Sequence, residues 1–193
     1  MKPSGNILFS GVGGQGILLA SEITAYALLA TGLDAKKSEV HGMAQRGGSV
    51  VAHLRYGDTV YSPLIDPGCA DFVVAFETME AVRYLPFMHK ETKVVVNTHK
   101  IAPPAVATGK ATYPDDILTE LARQDIATFK VDGFDIARSV GEIRAANLAL
   151  VGALSSFLPV SEEVFLEVMQ ERLPRKLDEN IAAFQKGRAI TSA

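Results

Sequence analysis

Cysteine is nearly absent from this chain of 193 residues. The single thiol, Cys69, excludes an internal disulfide, a cysteine-ligated zinc and an iron–sulfur cluster, each of which needs a set of thiolates. An excess of positive charge is also missing. The net charge is -3, and lysine and arginine are scattered along the chain, which argues against a partner bound through its phosphate backbone. No apolar run is long enough to span a bilayer, since a transmembrane helix needs about 20 such residues. The most apolar helical stretch, 145–158, is shorter and carries Asn147. The N-terminal residues lack the apolar segment and cleavage site of a signal peptide, so the expectation is a cytoplasmic, soluble chain with no membrane or nucleic-acid partner. His53, His89 and His99 are dispersed and show no metal-binding spacing, and Cys69 has no histidine or aspartate motif around it. The expectation is therefore no metal site and no catalytic residue on this chain.

What is present is material for a core. Apolar residues make up 48% and charged residues 21%, a composition that suits one folded domain spanning 1–193. Apolar or β-rich runs at 7–10, 70–76, 93–98 and 126–131 read as strands, and 34–41 as a second strand completing the opening unit. Helical periodicity falls between them at 17–30, 77–88 and 114–123. The segment 49–56, separated from Val60 and Tyr61 by Gly57-Asp58, reads as the first arm of a hairpin. From Phe134 onward the pattern is helical, with one long or kinked helix over 134–158 followed by 161–173 and 176–188. Strands alternating with helices predict a three-layer α/β/α sandwich with a mostly parallel sheet, a Rossmann-like strand–turn–helix–strand start and a helical C-terminal part.

Two runs carry chemistry. Gly11-Val12-Gly13-Gly14-Gln15-Gly16 places glycines at positions 11, 13 and 16 between a strand and a helix. Glycines there allow positive φ and close backbone approach, and the free N–H groups of a helix start attract an anion. The same glycines would equally serve tight strand-to-helix packing. Dinucleotide binding would further need an acidic residue about 20 positions on to grip the ribose, where Glu39 and Asp34 are the nearest candidates. The second run extends from Ser38 to Val50 and holds His41, Gln45, Arg46, Gly47, Gly48 and Ser49 at the end of a strand. A guanidinium beside exposed glycine backbone suits a carboxylate or phosphate. The alternative is a glycine-initiated hairpin whose Arg46 pairs with an internal carboxylate.

Together, the glycine turn and the run Ser38-Glu39-Val40-His41-Gly42-Met43-Ala44-Gln45-Arg46-Gly47-Gly48 closely resemble the gamma-type domain of 2-oxoacid:ferredoxin oxidoreductases. The second run is especially similar to the small subunit of the indolepyruvate enzymes. The likeness continues through Ala145-Ala146-Asn147, Gly152-Ala153-Leu154, Asn180, Ala183-Phe184 and Gly187. The resemblance implies a small, non-catalytic subunit that docks on a large partner. That partner would carry thiamine diphosphate and iron–sulfur clusters, with ferredoxin reached through the complex. The complex would decarboxylate a 2-oxoacid oxidatively and yield an acyl-CoA, coenzyme A being a co-substrate. By position, Gly11, Gly13, Gly14, Gln15, Gly16, His41, Gln45, Arg46, Gly47 and Gly48 would face the bound ligands or the partner. A docking subunit keeps apolar surface, so the chain in isolation is expected to form a homodimer through the helix at 145–158 or the hairpin at 49–62. A stand-alone NAD(P)- or flavin-dependent oxidoreductase and a nucleotide-binding module are the alternatives.

Overall fold

The computed structural model describes residues 3–41, 48–114 and 116–192. Strand β1 (Gly5–Val12) leads through the glycine turn into helix α1 (Ile17–Ala30), and β2 (Asp34–His41) and β3 (Ser49–Gly57) follow. Next come β4 (Ala70–Ala75), α2 (Thr78–Arg83), a 3-10 turn at Leu85–Phe87, and β5 (Met88–Asn97). The short α3 (Pro104–Ala107) and α4 (Ile117–Arg123) precede β6 (Ala127–Val131). Helix α5 (Gly133–Val140), a 3-10 turn at Ile143–Ala145, α6 (Ala146–Ser155), α7 (Glu162–Arg172) and α8 (Leu177–Thr191) complete the described chain.

The six strands form one sheet in the order β2-β3-β1-β4-β5-β6. Pairs β1-β4, β4-β5 and β5-β6 are parallel, whereas β3 runs antiparallel to both of its neighbours. All strands but β3 therefore point the same way, as expected of a mostly parallel sheet. The start departs from a Rossmann unit. β2 does not lie beside β1, because β3 is inserted between them. The expected hairpin is corrected too: β3 pairs with β2, from Asp34↔Gly57 to His41↔Val50, and Val60-Tyr61 is not a strand. With β1 on its other edge, β3 has no backbone edge left for a second arm. The segment that follows is held by polar bonds instead, with Val60 N–H donating to Asp34 (2.8 Å) and Arg55 donating to the carbonyls of Ser62 and Leu64.

Strand β1 reads as a continuous apolar run because both of its faces are covered. Ile7 and Phe9 join Val74 and Val95 in a core built with Ile23, Leu28, Leu148, Phe165 and Phe184. Leu8 points the other way, with Val73, Ala75 and Val94, onto Ala81 of α2 and Leu121 of α4. Helices on both faces make the three layers. The long helix expected over 134–158 is two helices. Gly141 ends α5 in the left-handed conformation (φ 83°), a C-terminal geometry that glycine adopts without a Cβ penalty. Every residue of α6 is buried, Asn147 included, because the helix is sandwiched between the sheet and α8. The docking patch expected at 145–158 is thereby ruled out: that surface is already used inside the fold. At the α6–α8 crossing a Cβ added to Gly152 would overlap the Phe184 carbonyl, and one added to Gly187 would overlap that of Ala149. The two backbones touch there.

Candidate functional site

The glycine turn is held from three sides. Gln15 reaches back to its own loop, accepting from Val12 N–H (2.7 Å), and its amide nitrogen donates to the Phe76 carbonyl at the end of β4 (2.8 Å). Asn147 of α6 donates to the Gly16 carbonyl (3.3 Å). Gly13 N–H donates to the Gly48 carbonyl (3.0 Å). Gly14 and Gly16 have φ of 101° and 78°, values that only glycine holds without strain, and a Cβ at Gly16 would lie 2.5 Å from the Asn147 amide. Gln15, expected as a ligand contact, thus spends both ends of its amide on bracing the turn. Gly11 is equally structural, since a Cβ there would meet Phe76 and Gln15.

The Gly13–Gly48 bond brings the two sequence runs together at the carboxyl end of β1. His41 closes β2 opposite Val50, and Gly48 lies just before β3. Gln45, Arg46 and Gly47 lie outside the described residues. Ser49 turns its hydroxyl to Glu80 (2.6 Å). The two acidic candidates for a ribose contact are occupied: Glu39 pairs with Lys37 (2.5 Å), and Asp34 pairs with Lys36 (2.7 Å) while accepting from Val60 N–H.

A cleft of about 820 Å³ opens beside the turn, within the size range of small-molecule sites. One wall is Gly13, Gly14, Gln15 and Gly16 with Asn147 behind them. A second wall comes from the 3-10 turn at Ile143–Ala145 and the α7–α8 junction, which contribute Arg144, Arg175 and Lys176. Leu19, Phe76, Ile101, Phe134 and Leu173 supply apolar surface between the walls. Lys176 is paired with Glu179 (2.8 Å), which raises its pKa. Among the described residues no carboxylate lies within ion-pair distance of Arg144 or Arg175. Glu142 is on the same wall, where its carboxylate accepts from Arg144 N–H (3.0 Å). Three cations and one carboxylate line the cleft together with the start of α1, an arrangement suited to a polyanionic ligand with an apolar or planar portion.

Sequence reasoning did not find the basic wall. Its residues stand at breaks between helices, after Gly141 and after Pro174, and chain breaks are where binding residues concentrate. Lys176 also has positive φ (58°), unusual for a residue with a side chain. Cys69 is exposed, and no group of three or more metal-ligating side chains occurs among the described residues. None of the described helices is long and apolar enough to cross a membrane.

A strand–turn–helix start, a mixed six-stranded sheet and a basic cleft beside the glycine turn define an α/β domain with a ligand-sized site, and comparison with known proteins gives its kinship. Residues 6–190 match the pyruvate ferredoxin/flavodoxin oxidoreductase family, and the chain belongs to that family. It is 43% identical over 187 residues to the indolepyruvate oxidoreductase subunit IorB of Archaeoglobus fulgidus, covering 94% of this chain and 92% of the relative. In fold it matches the gamma subunit of the keto/oxoacid ferredoxin oxidoreductase of Geobacter sulfurreducens (TM-score 0.71, 24% identity, 96% of this chain and 97% of that one). It also matches 31% of the 2-oxoglutarate:ferredoxin oxidoreductase chain of Magnetococcus marinus, a structure described with 2-oxoglutarate, coenzyme A and succinyl-CoA bound (TM-score 0.77, 21% identity, 99% of this chain).

Proposed function

We propose that this chain is the small, non-catalytic subunit of a cytoplasmic 2-oxoacid:ferredoxin oxidoreductase of the indolepyruvate type, and that its basic cleft receives coenzyme A. The complex converts a 2-oxoacid and coenzyme A to an acyl-CoA and carbon dioxide, and two electrons pass to ferredoxin. Family membership and the small-subunit relatives support the assignment to that complex. The single observation that carries the cleft's role is that Arg144, Arg175 and Lys176 share one 820 Å³ cleft with the glycine turn and the start of α1. Coenzyme A offers phosphates to such a wall and an adenine to apolar residues such as Phe134.

The residues of this chain do not fit an iron–sulfur cluster, because one exposed cysteine cannot supply its thiolates. Electron transfer and decarboxylation therefore belong to a large partner subunit carrying thiamine diphosphate and the clusters. This chain's own work is to bind, orient and enclose. Within the glycine run, Gly13, Gly14 and Gly16 act through their backbone, and Gln15 and Gly11 act by bracing it. Gly48 stands beside the turn; His41, Gln45, Arg46 and Gly47 are the run's further proposed contacts to the partner or ligand, the last three lying outside the described residues. A dinucleotide is the weaker fit, since Glu39 and Asp34 are both tied up in ion pairs.

Reconstitution tests this reading. The purified chain should bind no iron and turn over no 2-oxoacid, and adding the large subunit should restore acyl-CoA formation with ferredoxin reduction. Titration calorimetry should detect coenzyme A binding to the chain, weakened by added salt. A large subunit fully active without this chain would sink the assignment.

A further inference from the structure

Glu77 is 1% exposed, and no lysine or arginine lies within ion-pair distance of its carboxylate among the described residues. It is satisfied entirely by neutral donors. One oxygen accepts from Met79 N–H (2.7 Å) and Glu80 N–H (3.3 Å) and so caps α2. The other accepts from Ile101 N–H (3.1 Å) and from the Tyr113 hydroxyl. The next residue, Thr78, donates to the carbonyls of His99 (3.3 Å) and Asn97 (3.5 Å). The start of α2 thus grips the segment 98–114, which joins β5 to α4, at His99, Ile101 and Tyr113. Lys100 adds a cation over the Tyr113 ring (5.2 Å to its centre). A carboxylate withdrawn from water is costly unless every acceptor is used, so the grip is strong only while the segment stays in place.

Ile101 gives this grip a consequence at the site. It lines the 820 Å³ cleft and also a second cavity of about 270 Å³ whose other walls include Val12, Ser49, Glu80 and Arg83. It is the one described residue that lines both. We propose that Glu77 and Tyr113 form a latch that holds the strap 98–114, and with it Ile101, in the position that closes the coenzyme A cleft on that side. They are positioning residues: neither touches the ligand, and both act through Ile101. Releasing the latch would merge the cleft with the second cavity and leave a wider, less preformed site, which lowers affinity. The proposal rests on the reading of the cleft given above.

Tyr113→Phe is the test, because it keeps the ring and its Lys100 contact while removing one donor. In the full chain, hydrogen exchange at the Ile101 amide should accelerate by about tenfold or more, the factor expected on losing one bond to a charged acceptor. Exchange in β1 and β4 should stay as in the wild type. In the assembled enzyme, the KM for coenzyme A should rise by more than kcat falls, with the KM for the 2-oxoacid unmoved. Thr78→Val, which cuts the neighbouring tie to His99, should shift the same readouts in the same direction and serves where Tyr113→Phe folds poorly. Unchanged exchange at Ile101 would overturn the latch. Faster exchange with an unchanged KM for coenzyme A would overturn its link to the site. A wild-type chain that binds no coenzyme A at all would instead sink the reading of the cleft, and the proposal with it.

Discussion

Gly187→Ala asks a question whose two answers differ in sign. Gly187 lies inside α8 at ordinary helical φ, where alanine is the better residue by about 0.5–1 kcal/mol. If α8 were an ordinary surface helix, the substitution would stabilise the protein. The crossing with α6 predicts the reverse. The new methyl group would overlap the carbonyl and Cα of Ala149, backbone atoms of a helix that is itself buried along its whole length and has nowhere to retreat. Forcing atoms into such packing costs about 1–3 kcal/mol. The net expectation is a loss of about 1–2 kcal/mol, seen as a fall in Tm of roughly 2–8 °C for a domain of this size. Thermal and urea melts followed by circular dichroism at 222 nm measure it. Because Asn147 of α6 and Asn180 of α8 both line the cleft, coenzyme A affinity should fall along with stability. Gly152→Ala meets the same crossing from the other side, and the double variant should lose less than the sum, since a single separation of the helices relieves both overlaps. A Tm that is unchanged or raised by Gly187→Ala would refute the tight crossing.

Arg144→Ala and Arg175→Ala should each weaken coenzyme A binding roughly tenfold at low salt, with little change in Tm, because no internal carboxylate depends on either; unaltered affinity in calorimetry would remove the basic wall from the site. Burial, helped by the nearby Asp71 charge, pushes the Tyr56 hydroxyl from 10.0 up to about 12. The folded state then holds its proton while the unfolded chain releases it, so stability is complete below pH 10 and declines between pH 10 and 12, by at most about 2.7 kcal/mol. Urea melts across this range should show a shallower decline for Tyr56→Phe. With α6 ruled out as a docking face, self-association of the isolated chain should run through Tyr61 (94% exposed) and Leu64 (54% exposed). Sedimentation should find a dimer at micromolar concentration that Tyr61→Ser weakens, and a strict monomer would contradict this.

The layers were legible because periodicity reports burial. β1 is apolar at consecutive positions and sits between two covered faces, while α1 begins after the glycine turn and ends before Gly32 as its residues indicate. Two features escaped. A single glycine, Gly141, ends α5 inside what reads as one long or kinked helix, and a lone glycine in a helical pattern does not by itself announce a stop. Strand β3 gives no hint in its own residues that it will enter between β1 and β2, because pairing partners are chosen by the whole sheet. The glycine turn was found from local chemistry alone. The basic wall was not: Arg144 and Arg175 meet it only through the packing of α6 and α7 against α1 and of α8 against α6. Asn147 stood out as a polar residue in an apolar helix, and the Gly16 carbonyl is the partner that explains it.

The inserted strand also governs the order in which the chain can fold. Every ladder partner of β2 belongs to β3, so β2 has no place in the sheet until residues 49–57 have been synthesised and have paired with β1. The opening strand, turn and helix, which look like an autonomous unit, cannot close one. A growing chain that has reached only residue 41 carries two strands that never touch. Its β1, whose Leu8 face is covered only by later segments, waits for residues 49–57 to bridge the two strands.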